Sequence, residues 1–417
     1  MTICENWLTP LASRPVRNAR RGAAVIPVHR GKNPLRANAR SSLSVRAQIG
    51  LSLAVGRLKL MANILYVGPD AVGSTSRQRR NVLESLGHQV RNVSTSPPEG
   101  ASSLVRRAYD ITQFLHRQGR TKRVPGLVPD FQAQVLKAVR QDPYDILWVD
   151  KGILIARETL EEAKRIRPDL LVVGLVLDAM TMPHNQTRVF TQALPAYDVM
   201  ITNKSFEVPF YEFRGVKRTY FMDNCYHMGT HRPMTLTAEE QRRFGADLSF
   251  VGEHEWQREI SIYRLGEAGL NGLVIGAWQG CRQHENFRYS FERVWGDDYA
   301  KAICGSKIQL GFLRHINQDT QTTRSVEIPA CGVFMLAERS DEHEALFAEG
   351  KEAAYFDSDE ELVDKARYYL AHEDERAAIA RAGHERCVRD GYSYRARLTR
   401  IMAQIDADFG RSFTSSP

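Results

Sequence analysis

Asn63-Ile-Leu-Tyr-Val-Gly68 and Asp247-Leu-Ser-Phe-Val-Gly252 are two short apolar runs that each end in glycine. A polar turn follows each run, and an amphipathic stretch follows the turn, from Arg77 to Leu86 in the first case and from Gln257 to Ala268 in the second. This order of strand, loop and helix is typical of the first unit of an α/β domain. Because the pattern begins twice, the sequence predicts two such domains.

Further strand-sized apolar runs continue both series and alternate with helical segments. They are Asp145–Val149, Leu170–Leu177 and Asp198–Thr202 in the first series, and Gly272–Gly276, Lys307–Phe312, Gly332–Leu336 and Ala354–Phe356 in the second. Continuous apolar strands that alternate with helices favour a parallel sheet covered on both faces. The predicted fold class is therefore α/β, with two Rossmann-like, doubly wound parallel-sheet domains that face a cleft.

These patterns also set the expected domain bounds. We expect the first Rossmann-like domain over residues 61–230 and the second over residues 245–395, with the linker between them inside Tyr226–Phe244. A helix predicted from Asp374 ends at Ala382, before Gly383, and residues 396–417 form a C-terminal helix and tail.

The first 60 residues differ in composition from the rest of the chain. They hold eleven of the Lys and Arg residues and one acid, Glu5, so that the net charge of +8 belongs to this segment and the remainder is close to neutral. The basic charge therefore does not indicate nucleic-acid binding by the folded part. Three interpretations stay open for residues 1–60: a disordered basic extension, a targeting segment, or a mis-assigned start with translation beginning at Met61.

The six cysteines are scattered, without a CxxC pair or a zinc-type spacing with histidine. This pattern indicates reduced thiols in a cytoplasmic protein and predicts no metal site. Since no run approaches the roughly 18 apolar residues of a membrane-spanning helix, we expect no transmembrane segment, while peripheral contact with a membrane stays open.

The loop after the first strand is a candidate ligand-binding turn. Its small residues include Gly68, Gly73 and Ser74, which allow backbone N–H groups and a helix N-terminus to approach an anionic or hydroxylated ligand. The two glycines are five residues apart, which is not the GxGxxG spacing of dinucleotide-binding turns. An ordinary strand-to-helix turn is the alternative interpretation.

The stretch from Ser306 to Leu336 carries the strongest functional pattern. A strand leads into a polar loop, a short helix and a small-residue turn, which places Arg324, Glu327 and the loop Asn317–Thr323 at the carboxyl end of a strand. A carboxylate there can accept both hydroxyls of a ribose, and an arginine can bind a diphosphate. This chemistry suits a nucleotide-sugar.

The same region resembles the spore-maturation, CgeB-type branch of the group 1 glycosyltransferases. The matching motifs, in the family's order, are Arg324-x-x-Glu-Ile-Pro-Ala-Cys-Gly332, Glu338-Arg339, Glu344-x-Leu-Phe347, Gly350-Lys-Glu352, Glu361-Leu362, Tyr368-Tyr-Leu370 and Arg376-x-x-Ile-Ala380. The resemblance covers about Asn63 to Ile405 and is closest after Asp247.

The resemblance implies a GT-B fold and an enzyme that transfers a hexose-type sugar from a nucleotide diphosphate sugar, with retention and without an obligatory metal. It implies no tightly bound cofactor, since the nucleotide-sugar is a co-substrate. Glu327 is the implied ribose ligand, and Asp319, at the family's spacing of Asp319-x7-Glu327, is the implied contact to the transferred sugar. In the wider group the first of these acids is Glu, which leaves the role of Asp319 less certain.

The other implied donor-binding residues are polar or small and lie near the same motif. They are Arg258 and Lys307 for the diphosphate, and Asn317, Thr320, Arg324 and Gly332 around it. On the acceptor side, Asp178 and His184 follow strands of the first domain, and with Asp319 they complete the candidate catalytic set. The expected partners are the nucleotide-sugar donor and a carbohydrate, protein or small-molecule acceptor, with no nucleic acid.

Two alternatives to a glycosyltransferase stay open. A nucleotide-sugar epimerase can share the two-domain shape, and a non-catalytic sugar- or partner-binding protein can retain the fold without the activity.

Overall fold

Residues 61–413 are described by the computed structural model of the chain. The predicted extension over residues 1–60 and the last four residues lie outside this range. Within it, twelve strands form two six-stranded parallel sheets, the N-terminal sheet and the C-terminal sheet. The two predicted parallel sheets are therefore confirmed.

The N-terminal sheet consists of strands β1 to β6, in the order β2-β1-β3-β4-β5-β6. Their bounds are β1 Asn63–Gly68, β2 Gln89–Ser94, β3 Ile146–Asp150, β4 Leu171–Val176, β5 Val199–Thr202 and β6 Arg218–Phe221. The inner strands β3 and β4 are buried along their whole length, which matches their continuous apolar sequences. The strand order reverses between β1 and β3, where ligands of such sheets bind.

Six helices accompany this sheet along the chain, and most of them begin at a side-chain cap. They are α1 Thr75–Ser85, α2 Ser103–Arg117, α3 Phe131–Gln141, α4 Arg157–Ile166, α5 Arg188–Ala193 and α6 Val208–Phe213. Ser74 caps α1 and Ser102 caps α2, each accepting a backbone N–H three residues later.

The C-terminal sheet consists of strands β7 to β12, in the order β12-β11-β10-β7-β8-β9. Their bounds are β7 Ala246–Val251, β8 Gly272–Ile275, β9 Phe287–Ser290, β10 Ser306–Gly311, β11 Phe334–Glu338 and β12 Ala354–Phe356. Counted within this sheet, the order is the 3-2-1-4-5-6 of dinucleotide-binding Rossmann domains, with the reversal between β7 and β10.

The helices that accompany the C-terminal sheet include one that is longer than the sequence predicts. They are α7 Ala238–Phe244, α8 Trp256–Glu267, α9 Gly296–Cys304, α10 Arg324–Ala330, α11 Asp341–Leu346, α12 Asp359–Ala371, α13 Glu373–Arg389 and α14 Tyr394–Phe409. The expected end of α13 before Gly383 is wrong. Gly383 lies inside the helix. A Cβ at this position would stand 2.4 Å from the carbonyl oxygen of Glu352, so the glycine allows α13 to pack closely against the backbone of Glu352.

The chain passes twice between the two sheets, and the two passages lie side by side. The backbone N–H of Tyr226 donates to the carbonyl of Tyr392, and the N–H of Tyr394 donates to the carbonyl of Tyr226. The second passage leads into α14, which returns to the N-terminal sheet. There Leu398, Ile401 and other apolar residues of α14 join the core formed by β1, β3 and β4.

We expect Leu398→Ala to lower the free energy of unfolding by about 2–5 kcal/mol, because it leaves a cavity where α14 packs on the N-terminal sheet. Leu398 is fully buried in this core. Urea denaturation followed by circular dichroism measures the change. The neighbouring exposed Thr399→Ala is the control and is expected to stay within about 0.5 kcal/mol of the parent. Equal effects of the two substitutions would show that α14 does not depend on this contact.

Stability should also fall as the pH is lowered through about 6.5. His343 is 1% exposed and held between the hydroxyl of Ser325, 2.6 Å from Nε2, and the carbonyl of Glu338, 2.6 Å from Nδ1. Burial lowers the pKa of His343 below its ordinary value. The unfolded chain therefore takes up a proton below about pH 6.5 that the folded chain excludes, so the stabilisation present above that pH is lost as pH falls.

Urea denaturation of the parent and of His343→Gln at a series of pH values tests this expectation. The variant lacks the titrating ring, so its unfolding free energy should depend less steeply on pH than that of the parent. Parallel pH profiles would contradict the assignment.

Candidate functional site

A cavity of about 220 Å³, the cleft cavity, lies between the two sheets and is lined by residues of both halves of the chain. The N-terminal half contributes Gly73, Thr75 and Gln78 from the β1–α1 turn and the start of α1. The C-terminal half contributes the strand ends Val251–Gly252 and Ile275–Gly276, and the residues Glu253, Glu292, Arg293, Val294, Trp295, Gly296, Tyr299, Thr323, Arg324 and Glu327. Thr230 and His231, from the first passage between the sheets, complete the lining.

Glu327 presents a carboxylate in this cavity that two neighbours hold in place. The hydroxyl of Tyr299 donates to Oε2 at 2.6 Å, and Nε2 of His231 lies 3.5 Å from Oε1. Glu327 is 5% exposed. A carboxylate has about four lone-pair sites, so each oxygen can still accept a hydrogen bond from a ligand hydroxyl.

The protonation of His231 follows from its own hydrogen bond. The backbone N–H of His227 donates to Nδ1 of His231 at 2.9 Å, so the ring hydrogen lies on Nε2 and points to Glu327. Burial lowers the pKa of His231, although the charge of Glu327 opposes this effect. Burial therefore favours the neutral ring, which faces the carboxylate of Glu327 with Nε2 at 3.5 Å from Oε1.

Two buried polar atoms on the walls of the cleft cavity have no hydrogen-bond partner among residues 61–413: Arg324 Nε and Gln78 Oε1. Arg324 lies one helical turn before Glu327, with its guanidinium 5.4 Å from the ring centre of Phe250. Buried polar atoms without partners are uncommon in folded proteins. A donor and an acceptor that meet in one cavity are suited to a polar, partly anionic ligand.

Backbone rather than side chains forms the wall at the ends of β7 and β8. A Cβ on Gly276, whose φ is +145°, would stand 2.1 Å from the carbonyl oxygen of Gly252. A side chain is therefore excluded, and a planar ligand group can approach the backbone closely.

Arg258 lies behind this wall and does not line the cleft cavity. Its guanidinium donates to the carbonyls of Leu313 and Glu253 and lies 5.4 Å from the ring centre of Phe250. Burial, together with the nearby charge of Arg324, lowers its pKa to about 10. In this structure its side chain holds the loops after β7 and β10, and the contact of Arg258 with a donor stays a prediction.

The predictions for Lys307 and Gly332 are corrected by the direction of the strands. Lys307 lies near the start of β10, where it pairs with Asp247 at 2.8 Å. The cleft cavity lies at the other end of the sheet. The distance from Lys307 to the end of β10 at Gly311 is about 13 Å along an extended strand. Gly332, with a φ of +73°, lies between the end of α10 and the start of β11. It is therefore at the same edge of the C-terminal sheet as Lys307, away from the cleft cavity.

The loop after β10 docks onto the N-terminal half, and only Thr323 at its end lines the cleft cavity. Asn317 Oδ1 accepts hydrogen bonds from the backbone N–H of Ala179 at 2.9 Å and from Asn185 at 2.6 Å. Asp319 forms an ion pair of 2.8 Å with Lys204, whose side chain is 1% exposed. Burial raises the pKa of Asp319 despite this partner. The loop therefore fixes the position of one half against the other.

Thr320 belongs to the same docked loop. Its carbonyl accepts a hydrogen bond of 2.5 Å from Ser340, and its hydroxyl is buried without a partner among the described residues. The donor contacts of Asn317 and Thr320 stay predictions; in this structure the side chain of Asn317 and the carbonyl of Thr320 bond within the protein.

The N-terminal candidates lie at the carboxyl ends of β1, β3 and β4. Asp178 pairs with Lys151 at 2.8 Å. Burial opposes its ionisation, but the charge and hydrogen bond of Lys151 outweigh burial, so the pKa of Asp178 lies below its ordinary value. Ser74 shares a small cavity with Asp178, while Gly68 packs against Asp150. His184 is exposed, and its carbonyl accepts a hydrogen bond from Arg117.

A second cavity, the N-terminal cavity, has a volume of about 750 Å³ and opens at the carboxyl ends of β1, β2 and β3. Its lining includes Lys151, Arg106 and Asp110. Lys151 has a φ of +63°, a left-handed backbone conformation that a side chain rarely adopts and that recurs at ligand sites. Trp295 lines both this cavity and the cleft cavity.

Sequence patterns did not reveal Gln78, Lys151, Tyr299 or His231 as site residues. Each comes to a cavity through a contact between segments far apart in the sequence. For Lys151 a local signal exists, since Asp150-Lys-Gly152 ends a buried strand at the reversal of the strand order.

The described residues hold no group of three or more His, Cys, Asp or Glu side chains arranged to bind a metal ion. Over the same range, every helix is too short or too polar to cross a membrane.

Residues 237–403 match the model of a family described as glycosyl transferase-like. No curated protein sequence matches the chain. The match covers the whole C-terminal sheet, α10 with Arg324 and Glu327, and most of the returning helix α14.

Solved structures share the fold over most of the chain. HepE of Anabaena, crystallised with UDP and glucose, superposes with a TM-score of 0.56 at 12% identity over 83% of this chain and 100% of its own. Sucrose-phosphate synthase of Thermosynechococcus elongatus superposes with 0.57 at 10% identity over 84% and 99%. The trehalose-phosphate synthase (UDP-forming) of Burkholderia vietnamiensis gives 0.54 at 12% over 83% and 100%.

At these identities the likeness shows the fold, and the fold is GT-B, as the sequence predicts. Residues 237–403 are therefore similar to a glycosyl transferase-like family, and the described residues have the GT-B fold.

Proposed function

We propose that the protein is a glycosyltransferase that moves a sugar from a nucleotide diphosphate sugar to an acceptor. The observation that carries this proposal is Glu327, a carboxylate in the cleft cavity oriented by Tyr299 and His231, with the guanidinium of Arg324 one turn before it. HepE, with the same fold, has been crystallised with UDP and with UDP-glucose.

In this proposal the cleft cavity holds the nucleotide half of the donor. Glu327 accepts hydrogen bonds from the ribose hydroxyls, and the base lies along the backbone wall of Gly252 and Gly276, where side chains are excluded. Arg324 faces the diphosphate, which satisfies its unpartnered Nε. Arg258 adds positive charge from behind and fixes the adjoining loops.

During transfer, the bond between the anomeric carbon and the diphosphate oxygen breaks, and the electron pair stays on the diphosphate. Arg324 stabilises this developing charge. A hydroxyl of the acceptor forms the new bond to the anomeric carbon, and its proton passes to the oxygen of the departing diphosphate. The N-terminal cavity is the proposed acceptor site, with the Lys151–Asp178 pair at its edge.

The finer features of the proposal follow from the family resemblance and composition. The order of motifs after Asp247 favours the CgeB-type branch, transfer of a hexose with retention, and a reaction without a metal. The scattered cysteines favour the cytoplasm, and the five that lie in the described range are unpaired. Asp319 and His184 stay proposed catalytic residues. His184 is already exposed, whereas Asp319 reaches a ligand when the two halves move apart.

We expect UDP, or another nucleoside diphosphate, to raise the melting temperature of the protein, and Glu327→Gln to abolish this shift. A ligand at 100 times its dissociation constant stabilises the folded state by about 2.7 kcal/mol. A thermal-shift panel of UDP, GDP, ADP, CMP and dTDP measures the effect and identifies the base. Glu385→Gln is the matched control, since Glu385 is exposed on α13, away from the cleft cavity.

The donor site is supported if one nucleotide raises the melting temperature of the parent and of Glu385→Gln but not that of Glu327→Gln. A folded protein that responds to no nucleotide, or an unchanged shift in Glu327→Gln, contradicts it and favours a binding protein that only retains the fold.

Trp295 should control the access of water to the donor. The Trp295 ring is 49% exposed and separates the two cavities. A Cβ on Gly73, in the opposite half, would stand 2.3 Å from this ring, so the glycine at position 73 allows the two halves to touch there. We expect Trp295→Ala to bind the nucleotide as the parent does but to hydrolyse the nucleotide-sugar faster, by about tenfold, because water reaches the anomeric carbon.

Release of nucleoside diphosphate in the absence of acceptor measures this rate. Trp256→Ala is the control, because Trp256 is 63% exposed and lines neither cavity. If hydrolysis in Trp295→Ala equals that in the control, Trp295 is not a barrier to water.

A further inference from the structure

The outward face of helix α2 carries an apolar stripe that is exposed to solvent. Leu104, Ile111 and Phe114 are 63%, 45% and 59% exposed. With Arg107 they are spaced by three or four residues, so that they share one side of the helix. Large apolar side chains that are exposed together on one face, and not scattered singly, indicate an interaction surface.

The other two sides of α2 are already in use. Ala108, Tyr109, Thr112 and His116 are buried against the N-terminal core. Arg106, Asp110 and Gln113 face the N-terminal cavity and form part of its lining. The helix is therefore held firmly, and the apolar stripe stands beside the opening of the cavity without a partner among the described residues.

Positive charge is concentrated around this stripe. Residues 103–123 contain six basic side chains and a single acid, Asp110; the basic residues are Arg106, Arg107, Arg117, Arg120, Lys122 and Arg123. All of them are exposed except Arg123, which is half-buried. Since the chain after residue 60 is close to neutral overall, this excess is local.

We propose that the outward face of α2 and the basic loop after it, residues 118–123, dock onto an anionic lipid bilayer. Helices that lie in a membrane interface combine exposed Leu, Ile or Phe with Lys and Arg, as this helix does. The cations attract anionic head groups, and the apolar side chains enter the acyl boundary. A nucleic acid would match the cations but would offer nothing to the three apolar side chains.

The docked orientation brings the opening of the N-terminal cavity to the membrane surface, because Arg106 and Gln113 of the same helix line that cavity. This consequence rests on the proposed function. It defines the acceptor class: a hydroxyl-bearing head group carried by a lipid, whose acyl part stays in the bilayer while the head group enters the cavity.

Co-sedimentation of the full chain with phosphatidylcholine vesicles, with and without phosphatidylglycerol, tests the docking. We expect binding to the anionic vesicles only. Two sets of substitutions on α2 and its loop should each reduce this binding by more than about tenfold. They are Leu104→Ser/Ile111→Ser/Phe114→Ser for the apolar stripe and Arg107→Glu/Arg120→Glu/Lys122→Glu for the charge.

Matched controls carry the same numbers of substitutions at exposed positions elsewhere. They are Phe213→Ser/Trp256→Ser/Val388→Ser and Arg242→Glu/Lys351→Glu/Arg381→Glu. Both should bind vesicles as the parent does. All variants keep the basic residues 1–60, so any binding through that segment is unchanged among them.

The proposal is overturned if the α2 variants bind vesicles as well as the control variants do. It is also overturned if the apolar variant changes only the oligomeric state in sedimentation velocity, which identifies the stripe as a contact between copies. The proposal is also overturned if the charge variant loses binding to duplex DNA while the apolar variant still binds vesicles.

The nucleotide thermal shift of the same variants separates this proposal from the proposed function. The substituted residues do not line the cleft cavity, so the shift should match that of the parent. A loss of vesicle binding with a normal nucleotide shift assigns the surface alone. A parent that binds vesicles but no nucleotide leaves the docking surface in place and removes the donor site.

Discussion

The buried ion pair between Arg79 and Asp150 is the interaction around which α1, the end of β3 and the start of α14 are arranged. Arg79 Nη2 lies 2.7 Å from Asp150 Oδ2, and the two side chains are 2% and 5% exposed. Tyr66 donates to the same carboxylate, and Arg79 reaches Tyr394 at the start of α14 at 3.4 Å. Removing one partner of such a pair leaves a buried charge, at a cost of about 3–5 kcal/mol. The cluster therefore ties β1, α1, β3 and the returning helix together.

A second set of polar contacts completes the junction on the cleft side. The Lys204–Asp319 pair, the Asn317 bonds and the hydrogen bond from the Asn224 backbone to Gln321 all join the loop after β10 to the N-terminal half. Polar contacts of this kind are reversible, since both partners can be hydrated when the halves separate. The apolar packing of α14 is the more permanent link, and the polar loop sets the width of the cleft.

The cleft cavity owes its chemistry to this junction. Glu327 and Arg324 are neighbours on α10, but Tyr299 and His231 reach Glu327 from a different helix and from the first passage between the sheets. Gly73 and Trp295 meet because the β1–α1 turn lies against the residues before α9. A site built from six separate segments has little signature in any one of them.

The sequence by itself determined the two parallel sheets, the strands that lead into a glycine, and the short helix that carries Arg324 and Glu327. These features are local, because the alternation of apolar strands and amphipathic helices is written into consecutive residues. The polar edge strands β2, β6 and β9 were not predicted, since their exposed residues lack that pattern.

The tertiary structure alone decided which residues meet. Lys307 looked like a diphosphate ligand in the sequence, yet the direction of β10 puts it at the distant edge of the sheet, where it pairs with Asp247. Gly383 looked like a helix end, yet packing against Glu352 keeps it inside α13. Such positions depend on contacts between residues far apart in the chain, which local preferences do not encode.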